Sequence, residues 1–378
     1  MAEIPLALYV HLPWCVQKCP YCDFNSYEAS GALPEMAYID ALLADLRLEV
    51  PSAADRTVSS IFIGGGTPSL FSGTAIARLM AGIRSTVSLA IDAEITLEAN
   101  PGAVDEAHFA QYRAVGINRL SIGVQSFRDD QLKQLGRVHG AAESLGAVAV
   151  ARAAGFDNLN LDLMHGLPGD RAGDSLRDLE QGLALQPQHL SWYQLTLEAG
   201  TAFARRPPQL PPHDQIAAEF ETGCGLLEAA GFERYEISAF ARAGRESRHN
   251  MNYWEFGDYL GIGAGAHGKV TRPTSIERRV KRRHPSAYLK EAATPASVAI
   301  ETSTGSALIL DFMINALRLK RGFSRALFAA RTGLPESMLE PGVAAAVKQG
   351  WLDDDGERLV PTALGYRFLN DLQLVFVP

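Results

Sequence analysis

The chain has 378 residues, of which 47% are hydrophobic and 21% charged, and its formal net charge is −8. This length predicts one large domain and a smaller one, and the acidic balance argues against nucleic acid as the main partner. No apolar run approaches the roughly 20 residues of a membrane span, and residues 1–15 lack the basic and apolar regions of a signal peptide, so we expect a cytoplasmic protein.

Short apolar runs alternate with helical periodicity along the first half of the chain. The predicted strands are residues 6–12, 58–63, 93–97, 119–124, 159–163 and 190–197, and the predicted helices are residues 38–50, 73–87, 106–115, 141–154 and 175–185. Repeated strand-helix units imply a parallel sheet with right-handed crossovers. Because a closed barrel of this type needs eight strands, we predict an α/β fold with a partial (β/α)6 barrel, open on one side.

Cysteine usage is concentrated near the first predicted strand. Cys15, Cys19 and Cys22 lie within one eight-residue run, whereas Cys224 is far away in an alanine-rich helical stretch and is interpreted as a small buried hydrophobic residue. Three thiols cannot pair evenly as disulfides, so a metal centre with one open position is the better interpretation. A zinc site completed by His11 remains an alternative.

Polar residues also follow the ends of the other predicted strands. Gly64, Gly65, Gly66 and Thr67 follow the second strand, Glu98 ends the third, Gln125 ends the fourth, Arg137 follows it, and Asp162 lies on the fifth. Active sites of such folds form at the carboxyl ends of the strands, so these residues are expected to converge on one mouth. A tight glycine turn, and a salt bridge between Arg137 and the acids, are the structural alternatives.

Six segments carry a resemblance to a known family: YVHLPWCVQKCPYCDF, IFIGGGTPSL, EANPG, RLSIGVQSF, LGRVHG and NLDLMHGLPG. Together they resemble the radical S-adenosylmethionine (SAM) superfamily, in the branch related to oxygen-independent coproporphyrinogen III oxidase, and within it the haem-chaperone subgroup. The resemblance implies a partial barrel and a 4Fe-4S cluster bound by Cys15, Cys19 and Cys22. It also implies a SAM site lined by Tyr9, Gly65, Gly66, Thr67, Glu98, Gln125, Arg137 and Asp162. Thr67 stands where many members carry an acid.

Two features bear on the activity that the resemblance implies. The oxidases have a fourth cysteine two residues after the third, and here that position is Phe24. The segment HNMNYW resembles a haem-chaperone motif whose histidine, here His249, is implicated in holding haem, with Tyr253 and Trp254 offering flat apolar area. His267, in a glycine-rich loop, is the next candidate.

These features favour a haem chaperone that delivers haem to haem-requiring acceptors such as respiratory proteins. The alternative is the oxidase, because every residue type of the SAM site is retained, so the sequence leaves open whether the protein is an enzyme. A homodimer and association with a membrane surface also stay open.

The remaining third of the chain predicts a change of architecture. Residues 278–284, RRVKRRH, are interpreted as a solvated loop, with an acidic partner, haem propionates or a membrane surface as the alternatives, and residues 272–299 as a linker. From residue 302 the pattern resembles a small, mainly helical winged-helix domain that covers the open barrel. The predicted divisions are a barrel at 1–240, a crossing segment at 241–301 and the C-terminal domain at 302–378.

Overall fold

The computed structural model describes residues 4–103, 105–273 and 275–377. Seventeen strands are assigned in this part of the chain. They are β1 (Leu6–Leu12), β2 (Trp14–Cys15), β3 (Tyr27–Glu28), β4 (Val58–Gly65), β5 (Leu89–Ala99), β6 (Arg119–Gln125), β7 (Leu159–His165), β8 (His189–Gln194), β9 (Glu233–Arg234), β10 (Ala239–Ala241), β11 (Asp258–Ile262), β12 (His267–Arg272), β13 (Ser275–Lys281), β14 (Val298–Ser303), β15 (Phe323–Ser324), β16 (Leu352–Asp354) and β17 (Arg358–Pro361).

The helices alternate with the strands through the first half of the chain and dominate its end. They are α1 (Glu35–Ala53), α2 (Gly73–Thr86), α3 (Glu106–Ala114), α4 (Asp129–Gln134), α5 (Ala141–Ala153), α6 (Asp174–Ala184), α7 (Ala202–Arg205), α8 (His213–Ala229), α9 (Arg248–Trp254), α10 (Pro285–Glu291), α11 (Ala307–Ala316), α12 (Arg325–Thr332), α13 (Glu340–Lys348), α14 (Ala363–Arg367) and α15 (Leu369–Leu374). All the helices predicted for the barrel are present, with ends that differ by a few residues.

A twelve-stranded sheet forms the body of the molecule, in the order β14-β13-β12-β11-β1-β4-β5-β6-β7-β8-β10-β9. The six strands from β1 to β8 in this order are parallel, which confirms the predicted open α/β barrel. Strand β11 pairs in parallel with β1 and adds a seventh parallel strand that the sequence pattern had not indicated. Antiparallel strands extend both edges, with β12, β13 and β14 on one side and β10 and β9 on the other.

Burial explains why the barrel strands read as continuous apolar runs. Six of the seven residues of β1 are buried, and β6 and β7 show the same pattern, because helices cover one face and the barrel interior covers the other. The carboxyl ends of β1, β4, β5, β6 and β7 therefore open at one rim. This is the geometry that the sequence predicted for the polar strand ends.

The interpretation of residues 278–284 as a solvated loop is wrong for residues 278–281, which belong to β13, and is confirmed for the exposed residues 282–284; that of residues 272–299 as a linker is wrong. The stretch contains two strands of the sheet, β13 and β14, with helix α10 between them. Arg279 and Lys281 are buried and pair with two carboxylates of α1: Lys281 Nζ lies 2.6 Å from Asp45 Oδ1, and Arg279 Nε lies 2.7 Å from Glu49 Oε2. These cations are ordered because buried carboxylates oppose them, a pairing that no local pattern shows.

The C-terminal part has its own apolar core, built around Phe312, Phe328 and Leu359. Along the chain α11, β15, α12, α13, β16 and β17 follow one another, and the three strands form a sheet in the order β15-β17-β16, as in the predicted winged-helix arrangement. Phe256 and Ile276, from the predicted crossing segment, pack into the same core. The three-way division of the chain stays a prediction. In the described part of the chain, no helix combines the length and apolar character needed to cross a bilayer.

Candidate functional site

The cysteine run lies at the end of the first barrel strand. Cys15 ends the short strand β2, which pairs with β3, and the loop between the two strands carries Cys19 and Cys22. All three thiols are half-buried and line one cavity of about 390 Å³. The loop is closed locally by the Cys22 amide, which donates to the Cys19 carbonyl at 3.1 Å. The three cysteines therefore face the same space.

These thiols suit a cluster better than a single metal ion. His11, the fourth ligand of the zinc alternative, uses both ring nitrogens elsewhere: Nε2 donates to the Asn25 carbonyl and Nδ1 accepts from the Tyr9 hydroxyl, each at 2.9 Å. Across residues 4–103, 105–273 and 275–377, no set of three or more His, Cys, Asp or Glu side chains is close enough to hold one ion. A 4Fe-4S cluster accommodates more widely spaced thiolates, because each one binds a different iron.

Burial raises the pKa of the Cys15 and Cys22 thiols, so their thiolates need a positive partner. The Arg137 guanidinium supplies positive charge beside the third thiol, with Nη1 at 3.7 Å from Cys19 Sγ. Arg137 Nη2 donates to the Gly123 carbonyl at 2.8 Å, while Nε has no partner among the described residues. A buried donor of this kind fits an acceptor group supplied by a ligand.

The glycine loop after β4 is shaped by close backbone approach to the cysteine segment. Gly65 has φ of +121°, and a Cβ at Gly66 would lie 2.4 Å from the Trp14 carbonyl oxygen. Gly66 and Thr67 donate their backbone N–H groups to the carbonyls of Leu12 and Trp14, at 2.8 and 2.7 Å. Only glycine permits this packing, which places the loop against the cysteine run.

Two half-buried carboxyl groups face the cavity from β5 and β7. Glu98 accepts the Gly65 amide at 3.1 Å, and Asp162 accepts from Ser121 and Asn160 at 3.0 and 2.8 Å. Burial, and then the charge of Asp162, raise the pKa of Glu98 to about 7, and burial also raises the pKa of Asp162. Two carboxyls held in this way are suited to bind a cationic amine or hydroxyl groups.

Gln125 ends β6 in a backbone conformation that is rare for its residue type, with φ of +69°. Its side-chain oxygen accepts from the Tyr193 hydroxyl at 2.5 Å, and both side chains line the same cavity. Non-glycine residues in this left-handed region cost free energy and concentrate at ligand sites. The strained strand end turns the Gln125 side chain into the cavity.

The structure brings most of the predicted site residues into this one space, which we call the first cavity. It is lined by Cys15, Cys19, Cys22, Gly65, Gly66, Thr67, Glu98, Gln125, Arg137 and Asp162. Tyr9 is the exception, because it lines a neighbouring space of about 740 Å³, the second cavity, to which Gly65 and Glu98 also contribute. Asp23 and Phe24 line both cavities, so the two spaces adjoin beside the cysteine loop.

His249 lies beneath the second cavity and does not line it. Its ring is 1% exposed, Nδ1 lies 3.1 Å from the Ser60 hydroxyl, and Nε2 lies 2.8 Å from the Tyr253 hydroxyl. Burial lowers its pKa to about 3, so the imidazole is neutral at physiological pH. The Tyr253 and Trp254 rings of the same motif do line the cavity, as does His267.

The motifs did not reveal several residues of the two cavities. The missed residues of the first cavity include Tyr21, Ser121, Met164 and Tyr193, and those of the second include Phe62, Tyr259, Lys269 and Asn315. Arg278 and Arg283, which also line the second cavity, belong to the basic run at residues 278–284. The alternative interpretation of that run, as a partner for an acidic group or haem propionates, was the one signal that pointed to these two arginines.

The Glu98 carboxyl predicts a pH dependence of stability in the protein without bound ligands. Because its pKa rises from 4.5 to about 7 on folding, the folded state holds a proton that the unfolded state loses, and stability falls as pH rises through this interval. We expect Glu98→Gln to be more stable than wild type by about 3 kcal/mol at pH 8, with the difference vanishing near pH 4.5. Urea unfolding across this range measures it; equal pH profiles would contradict the raised pKa.

Comparison with known proteins agrees with this arrangement. Residues 9–179 match the model of the Radical SAM superfamily, and residues 304–368 match that of the HemN C-terminal domain. The chain is 48% identical to the Heme chaperone HemW of Escherichia coli, over 99% of this chain and 98% of that protein. Identity to the Mycobacterium tuberculosis H37Rv protein of the same name is 37%, over 97% and 93% of the two chains.

A solved structure shares the fold. Coproporphyrinogen III oxidase HemN from Escherichia coli superposes with a TM-score of 0.83, over 99% of this chain and 90% of that chain, at 24% identity. This likeness establishes the architecture only. The activity has to be inferred from the residues of the site and from the relatives of higher sequence identity. With full-length identity of 48% to one relative and a superfamily match that spans the cysteine run and the strand ends described above, the chain belongs to the radical SAM superfamily and, within it, to the HemW heme chaperone family.

Proposed function

We propose that this protein binds haem and passes it to haem-requiring proteins, and that it carries a 4Fe-4S cluster and SAM in the first cavity. The relatives named as haem chaperones support haem as the cargo. The observation that carries the proposal is the second cavity, which adjoins the first and is lined by aromatic and cationic side chains of the types that hold a flat, dicarboxylic ligand.

In the first cavity, Cys15, Cys19 and Cys22 hold the cluster. When bound, the cluster and SAM supply one-electron radical chemistry. Glu98 and Asp162 hold the cationic amine and the hydroxyls of the nucleoside, and the buried Arg137 donates to an anionic group. Gly65, Gly66 and Thr67 would let the backbone approach the ligand closely, and Gln125 lines the same cavity. Tyr9 lines only the adjoining second cavity, so its contact with SAM stays a prediction.

His249 remains the predicted haem residue of the HNMNYW motif, and its contacts suggest how it would act. Its Nε2 holds the Tyr253 hydroxyl, and the Tyr253 ring lines the second cavity. We expect His249→Ala to weaken haem binding, because the Tyr253 ring loses its support. Tyr253→Phe keeps the ring and removes only the hydroxyl, so it separates ring packing from the hydrogen bond. Unchanged haem affinity in His249→Ala would contradict the prediction.

The oxidase is the second candidate, favoured by the convergence of the predicted SAM residues on the cluster cavity. One experiment separates the two functions. The protein is reconstituted anaerobically with iron and sulfide, titrated with haem while the Soret band is recorded, and assayed in parallel for coproporphyrinogen decarboxylation. Stoichiometric haem binding without turnover supports the chaperone. Turnover without tight haem binding supports the oxidase and contradicts the proposal.

Delivery requires contact with an acceptor. We propose that the acceptors are haem-requiring respiratory proteins and that transfer takes place in the cytoplasm or at a membrane surface. Transfer of labelled haem to such an acceptor, in the presence and absence of vesicles, tests both parts. Self-association into a homodimer is a separate prediction, tested by light scattering with and without haem.

A further inference from the structure

The second cavity has an aromatic floor. Tyr9 and Phe62 stack with ring centroids 6.3 Å apart, and Tyr253 meets Tyr259 edge to face at 4.6 Å. Trp254 completes this set, and its ring also carries the Arg318 guanidinium at 4.1 Å. Flat side chains held in place by one another offer area to a planar ligand at little entropic cost.

Positive charge lines the same cavity, and part of it lacks a close protein partner. Lys269 is committed, because its ammonium contacts Asp258 Oδ1 at 2.9 Å inside the protein. Arg278 is paired with Asp311 at 3.4 Å and lies over the Phe256 ring, whereas within the described residues the Arg283 side chain has no carboxylate within salt-bridge distance. Asn25 and Tyr27 both donate to the Arg283 carbonyl, so the backbone of this exposed arginine is anchored to the cysteine loop.

Two histidines line this cavity: His267, which is exposed, and His11, which is buried and hydrogen-bonded at both ring nitrogens. His267 begins β12, and among the described residues no hydrogen bond occupies its ring nitrogens, in contrast to those of His249. Burial and the nearby guanidinium groups of Arg283 and Arg278 lower the pKa of His267, so the ring is neutral at physiological pH. Neutral imidazole is the form that coordinates haem iron.

We propose that the second cavity is the porphyrin site, in which Arg278 and Arg283 bind the two carboxylates of the macrocycle and His267 faces its iron. This assignment rests on the proposed haem-binding function and deepens it. His249 then acts from below as a positioning residue for Tyr253. The cavity volume of about 740 Å³ lies within the roughly 300–1,000 Å³ of ordinary ligand sites.

The positions of the two protein carboxylates that line the second cavity support this orientation of the porphyrin. Asp23 and Glu98 belong to the part that is shared with the first cavity, whereas Arg278 and Arg283 line the second cavity alone. A dicarboxylic ligand would therefore turn its acidic edge away from the cluster side. Phe24, 60% exposed and shared by both cavities, would lie beside the ligand at the junction.

Three probes separate the parts of the assignment: ferric haem, iron-free protoporphyrin IX, and the dimethyl ester of that porphyrin. In the reconstituted full-length protein, Arg278→Gln and Arg283→Gln should each weaken binding of the first two probes by about tenfold and leave the diester within about twofold. His267→Ala should shift the Soret band of bound haem and leave affinity for iron-free porphyrin unchanged, and added imidazole should restore the band. His249→Ala should weaken binding of both haem and the iron-free porphyrin.

Arg282→Gln is the matched control, because Arg282 neighbours Arg283, pairs with Glu291 at the surface and lies outside the cavity lining. Arg278→Lys, which keeps the charge, should recover most of the affinity, and the thermal midpoint of each variant shows that it folds. A wild-type protein that binds no haem overturns the proposed function together with this site. Haem binding with wild-type affinity and Soret band in the Arg278, Arg283 and His267 variants overturns the site alone. So does a loss of affinity for the diester in the two arginine variants that is as large as their loss of affinity for haem.

Discussion

Cys19→Ser is expected to remove nearly all of the iron and sulfide that the wild-type protein takes up on anaerobic reconstitution. The Cys19 thiol lies beside the Arg137 guanidinium in the first cavity, and a serine hydroxyl at this position is a far weaker ligand for iron than a thiolate. Binding of SAM should be lost with the cluster. Iron and sulfide analysis, visible absorbance and equilibrium dialysis with SAM measure these losses.

Cys224→Ser provides the matched control. Cys224 lies in α8 and lines a separate cavity, so its variant should keep wild-type iron content. Intact cluster absorbance and SAM binding in Cys19→Ser would show that the first cavity is not the cluster site.

A second large effect is expected in the buried ion cluster between α1 and β13. Lys281→Met should lower the free energy of unfolding by about 3 kcal/mol or more, because it leaves Asp45 and Glu49 in the protein interior with less compensating charge. The Lys281 side chain is 1% exposed and the two carboxylates are no more exposed than that, so water cannot replace the ammonium. Urea unfolding at neutral pH measures the change.

The neighbouring Arg282 shows the contrasting case. Arg282→Gln removes an exposed pair with Glu291, whose side chains are 54% and 35% exposed, and should change stability by less than about 1 kcal/mol. Similar losses in the two variants would mean that the ion cluster contributes no more than a surface pair.

The adjoining cavities bear on the choice between chaperone and oxidase. A porphyrin in the second cavity would lie next to the SAM residues, so position alone does not distinguish the two functions. The orientation of the porphyrin does distinguish them. Porphyrin carboxylates held by Arg278 and Arg283 would lie away from the junction of the two cavities at Phe24 and Glu98. The diester probe and the turnover assay together therefore report both on the site and on the activity.

The sequence by itself determined the open parallel barrel and the set of residues at its mouth. Strand-helix alternation specifies parallel neighbours, and parallel strands bring their carboxyl ends to one rim, so Glu98, Gln125 and Asp162 could be placed together with the cysteine run. The glycines after β4 were also readable, because a tight turn with close backbone approach leaves a local signature.

Only the tertiary structure decided the rest. Arg279 and Lys281 are buried against carboxylates more than 200 positions away along the chain, so the first part of a run that reads locally as solvated belongs to a strand of the sheet. The same holds for His249, whose ring is closed off by Ser60 and Tyr253, and for Tyr9, which faces the second cavity. Which side of a strand meets which partner depends on non-local packing, because local periodicity identifies a buried face without naming what buries it.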